Sequence, residues 1–136
     1  MIAPPSLDDL EQMARDGLTA LPERLRQFTS GLVIHVADFP EDDVIAEMEL
    51  DSPFDLLGLY QGIALSDKTI EASGTMPNMI FLYRRAILDY WCETGEDLGH
   101  VVRHVLIHEI GHHFGFSDDD MEALEAEAEA EERPRI

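Results

Sequence analysis

HEIGHHFGFSD, residues 108–118 of a 136-residue chain, holds three of its six histidines, and its reading decides the fold as well as the chemistry. His108 and His112 stand four positions apart, so on a helix they lie one above the other on the same face. Two imidazoles placed this way can converge on one zinc ion, at Zn–N distances of about 2.0–2.1 Å. Glu109 falls one position round from the first histidine. There a carboxylate can reach a water on the metal without ligating it, as a general base must. The plainer alternative is a buried helix with core histidines. Val101, Val102, Val105, Leu106, Ile107, Ile110 and Phe114 cover most of the circumference, the pattern of a central core helix. Yet two histidines and a glutamate are costly to bury without partners, and a metal accounts for all three together.

The residues after His112 sharpen this reading. Gly115 falls three positions on and Asp118 six, giving HExxHxxGxxD. To bring a third ligand back, the chain must leave the helix sharply, and glycine takes the left-handed conformation cheaply. Asp118 would complete three protein ligands and leave the fourth position open for water, as a catalytic zinc requires. Asp119, Asp120 and Glu122 are neighbouring alternatives, and Asp118 also suits a helix N-terminus through its dipole. His113 lies about 100° round from His112 and is expected to pack elsewhere. His100 and His104 continue the stripe of His108 at four-residue spacing, where a partly solvated face is expected.

The pattern resembles the metzincin consensus HExxHxxGxxH/D in its form with Asp as third ligand. Together with HEIGHHFGFSDDDMEALE, LLGLYQGIAL and MIFLYRRAIL, it makes residues 6–125 similar to the small bacterial zincin-like metallopeptidases. The resemblance implies an α+β, minimal zincin-like fold: a small mixed sheet on an active-site helix, with an edge strand lining a substrate cleft. It implies a zinc-dependent endopeptidase with one catalytic Zn2+ held by His108, His112 and Asp118, and with Glu109 as general base. The partner would be a peptide or protein substrate, expected to add as an extended strand along residues 78–83. Met121, the only methionine after the motif, lies three residues past Asp118 and leaves no room for the Met-turn of full metzincins. An Asp ligand also leaves less positive charge on the metal than a third His, so weak activity or a narrow pH range is expected. The competing expectation is a non-catalytic zinc-binding or peptide-binding module of the same fold.

Outward from the motif, Ser6 and Asp9 have capping-box spacing, and Leu7, Leu10, Met13, Ala14 and Leu18 follow at helical intervals. A second short helix is expected from Pro22, carrying Leu25 and Phe28 inward. Strands are expected at residues 32–40, 57–65 and 79–84. Between the first two, residues 41–55 read as an irregular connection with one helical turn; SDK and SGTMPN read as turn and loop, and TIEAS as a brief pairing segment. Helices over 84–92 and about 97–114 follow, the second stopped at Gly115. Residues 118–132 contain nine acidic residues in fifteen positions, which predicts a solvated helix capped by Ser117 and fraying into a disordered end. One domain over 1–136 is expected, with an acidic segment from about 118. Tyr60 and Tyr83 read as core or strand tyrosines before they read as oxyanion donors.

With 29 Asp plus Glu against 9 Lys plus Arg, the formal net charge is -20. Such a chain would be repelled by a phosphate backbone or an anionic membrane, so neither nucleic acid nor membrane is an expected partner. The single cysteine, Cys92, excludes an internal disulfide. MIAPPSLDDL lacks the basic and apolar regions of a secretory signal, and no apolar run approaches the ~18 residues that span a bilayer. A cytoplasmic monomer is the expectation.

Overall fold

The computed structural model describes residues 3–61 and 78–132. Its elements are α1 (Leu7–Thr19), α2 (Glu23–Arg26), β1 (Val33–Ala37), α3 (Asp42–Glu47), β2 (Gly58–Gln61), β3 (Met79–Tyr83), α4 (Arg84–Thr94), α5 (Leu98–His113) and α6 (Asp118–Glu132), with a 3-10 turn at Pro53–Asp55. The mixture of helices and a small mixed sheet is the α+β class read from the sequence. SDK, TIEAS and most of SGTMPN, and the end of the strand expected over 57–65, lie outside the described residues.

Local chemistry sets the helix starts. Ser6 Oγ accepts from Asp9 N at 3.1 Å while Asp9 Oδ2 accepts from Ser6 N at 2.8 Å, the expected capping box of α1. Leu10 and Ala14, four apart, face inward from that helix. Asp97 caps α5 by accepting from His100 N at 3.2 Å. The connection at 41–55 is more ordered than its uneven hydrophobic pattern suggested. It holds the six-residue α3 and, at Ser52, a second capping box that starts the 3-10 turn.

The sheet order is β1-β3-β2, with β1 parallel and β2 antiparallel to β3. β3 is therefore central. Its backbone groups are engaged by neighbours on both sides, which corrects the expectation that a peptide adds along residues 78–83. The expectation places this segment at the sheet edge, whereas strand order depends on pairings distant in sequence, which apolar content cannot reveal. Alternation on β3 sends Ile80 and Leu82 into the core; Ile34 and Val36 of β1 and Tyr60 and Gly58 of β2 stand opposite them in register. This inner face and α1 pack on α5, whose Val101, Val102, Val105, Leu106, Ile107 and Ile110 are all buried. Among the described residues no helix is long and apolar enough to cross a membrane.

β2 is seated against α5 through Gly58. A methyl group there would stand 2.6 Å from Val105 Cγ1 and 3.1 Å from Phe81 O. Overpacking of this kind costs about 1–3 kcal/mol, so Gly58→Ala is expected to lower the unfolding free energy by that amount, seen as a lower denaturation midpoint at unchanged m. An unchanged midpoint would show that β2 does not lie on α5 at this point.

Candidate metal centre

α5 is both things the sequence allowed. It is a central core helix, and one line along it stays open: His100, His104 and His112 are exposed, and His108 and Glu109 are partly buried, between otherwise buried turns. The four histidines follow the i, i+4 row, so a helix buried on its other faces presents one stripe of imidazoles. Ring centroids are 4.2 Å apart for His104 and His108 and 5.8 Å apart for His108 and His112.

The helix ends as Gly115 demands. Its φ is +82°, and Phe116 N donates to Gly111 O at 2.8 Å while Gly115 N donates to His112 O at 3.2 Å. These two bonds form a Schellman motif, which closes the carbonyls of the HExxH turn and reverses the chain. Phe114 and Phe116 then pack on Phe28, at 4.4 and 5.9 Å between centroids, and anchor the turn to the segment after α2. Ser117 caps the next helix, exchanging hydrogen bonds with Asp120, and the same bonds hold the Asp120 carboxyl below its usual range.

Asp118 is the first residue of α6 and is exposed. The expected solvated character of this helix needs correction over its first eleven positions. Met121, Leu124 and Ala128 are buried, with Met121 seated against Gly111 of α5. The apolar stripe was hidden by the acids around it. Glu125 shares that inward side, and its Oε2 lies 3.5 Å from His108 Nε2, with its Oε1 against His104 Nδ1. His104, His108 and Glu125 have ligand atoms all within 4.8 Å of one another; among the described residues no other such group of three includes His112 or Asp118. The structure thus joins the first motif histidine to a carboxylate that the sequence reading passed over. Glu125 was findable: it lies four residues after Met121 and three before Ala128, an acid at an inward position of a helical stripe.

Glu109 faces β2. A Cβ built on Gly58 would lie 3.4 Å from Glu109 Cγ, and the Tyr60 backbone N–H donates to the Glu109 carboxylate. Burial raises its pKa above the ordinary value, only partly offset by the charge of His112 and that N–H. Burial and neighbouring His104 lower the pKa of His108, against the pull of Glu125. An imidazole held neutral keeps its lone pair for a metal. His113 packs away from this line, stacked on Tyr60 at 4.0 Å, and Tyr60 and Tyr83 are both core residues.

A family model described as zincin-like metallopeptidase matches residues 29–128. The chain belongs to that family. No curated protein matches it. The match spans both motif histidines, Glu109, Asp118 and Glu125, together with all three strands. The three-stranded sheet on a histidine-bearing helix is a minimal zincin-like fold, and the family implies zinc. Imidazoles with adjoining carboxylates are the nitrogen and oxygen donors that zinc takes, so the residues present fit the ion.

Proposed function

We propose that this chain is a zinc-dependent peptidase in which His108, His112 and Asp118 hold one zinc ion and Glu109 is the general base. The observation that carries the reading is the position of Glu109. It sits beside the histidine pair on the open line of α5, partly buried, held by the Tyr60 N–H and shifted toward a higher pKa. Perturbation by burial next to a candidate metal site is what a carboxylate working near neutral pH needs. Zinc bound there supplies the Lewis acidity that polarises a peptide carbonyl and makes water nucleophilic.

The chain's own residues do the remaining work. His108, kept neutral by burial, offers its lone pair without first losing a proton. The Glu109 carboxylate accepts a proton from the attacking water and returns it to the leaving amine, so it ends the cycle as it began. The Tyr60 N–H fixes its orientation through the backbone of β2, a rigid element, so the base does not depend on a loop. The substrate is a peptide or protein segment, and the working unit is a monomer. Purified protein carrying one zinc is expected to cleave members of an unbiased peptide mixture, to stop with a chelator and to resume with added zinc. Stoichiometric zinc without any cleavage would defeat the peptidase reading in favour of a zinc-bearing binding module.

A further inference from the structure

We propose that His104, His108 and Glu125 form a second cation site that shares His108 with the hydrolytic set, so that a zinc-type ion held there excludes the hydrolytic arrangement and leaves the chain switched off. The switching-off rests on the peptidase reading; the second site itself does not. Three donors come from two helices: Nδ1 of His104 and Nε2 of His108 from α5, and a carboxylate of α6 whose two oxygens face one imidazole each. All lie within 4.8 Å of one another. Two nitrogens and a carboxylate are a sufficient protein contribution to a tetrahedral zinc, with the remaining position left to water.

Two features make this more than a surface ion pair. Glu125 is placed by packing, because Met121 and Leu124 on one side and Ala128 on the other bury α6 against the core. The group also opens on a cavity of about 310 Å³ lined by Tyr90, Asp97, His100 and Arg103 as well as His104 and Glu125, which leaves room for water ligands and an entry path. The exclusion follows from one lone pair. His108 Nε2 faces Glu125, and a nitrogen that ligates an ion on that side is unavailable to an ion shared with His112. Occupancy of one site empties the other, so the chain binds one zinc in total, divided between an active and an inactive arrangement in the ratio of their two affinities.

The test uses Zn2+ alone, with binding by equilibrium dialysis and helix content by circular dichroism. His112→Ala, which dismantles the hydrolytic pair, is expected to keep one equivalent of zinc. Adding His104→Ala, or in a separate chain the near-isosteric Glu125→Gln, is expected to weaken that binding at least about tenfold with helix content preserved. In wild type, zinc is expected to saturate at one equivalent and cleavage to level off there, with His104→Ala levelling off higher because the inactive arrangement is lost. Two results overturn the second site: a folded His112→Ala chain that binds no zinc, or zinc binding by it that ignores both added substitutions. If wild type cleaves nothing while the zinc bound by His112→Ala still depends on His104 and Glu125, the second site stands and only the peptidase reading fails.

Discussion

Glu109→Gln is expected to reduce kcat/KM of the zinc-loaded chain by about 10²–10⁴-fold, the usual contribution of a positioned general base, with zinc content unchanged. The substitution keeps the side chain's length and an oxygen that can still accept from the Tyr60 N–H, and it removes only the ability to take a proton. The same change separates catalysis from structure. Glu109 is partly buried and its raised pKa means that burial disfavours the ionised form. A neutral isostere therefore relieves the fold of a desolvated charge, and the metal-free variant is expected to melt at or above wild type. Loss of activity with stability retained or improved identifies a functional residue placed against the interest of the fold. If Glu109→Gln melts well below wild type, the carboxylate is structural; if cleavage persists at the wild-type rate, the base lies elsewhere.

The features that sequence made legible are those carried by local spacing. Ser6 with Asp9, Asp97, Gly115 and Ser117 mark helix ends through bonds within a few residues, and each does so in the structure. The core role of α5 and its line of histidines both follow from a 3.6-residue period, and neither excludes the other. Features set by distant pairings were not legible. That β3 is central follows from its registers with Val33–Ala37 and Gly58–Gln61, which no run of apolar residues encodes. The acidity of residues 118–132 masked an inward face at Met121, Leu124 and Ala128, because so few apolar positions give a weak period among nine acids. Glu125 was lost with that face. His104 was assigned to solvent on spacing alone, and it is exposed, yet it is bound to a carboxylate twenty-one residues on. The motif was found because its spacing lies within one helix; the partner from α6 was missed because it does not.

Zinc is expected to raise the melting temperature of the chain strongly, and the variants that cancel the rise name the ligands. An ion that binds only the folded state, present at about a thousandfold its Kd, stabilises by roughly 4 kcal/mol. For a domain of this size that corresponds to a rise on the order of 10 °C. His108→Ala is expected to abolish it altogether, since His108 belongs to both arrangements of donors. The informative comparison is between two carboxylates. Asp118 stands at the start of α6, six residues beyond His112 and delivered by the turn at Gly115; Glu125 stands two helical turns further along the same helix, already against His108. Ser117, not Asp118, supplies the cap of α6, so Asp118→Ala leaves the Ser117–Asp120 bonds in place and tests ligation without dismantling the helix start. With Asp118 as third ligand, Asp118→Ala is expected to abolish cleavage and to lower the zinc-dependent rise to what His104, His108 and Glu125 alone support. A rise that survives Asp118→Ala undiminished but vanishes in Glu125→Gln would move the third ligand to α6's inner face. The metal would then clamp the histidine helix to the helix that packs on it.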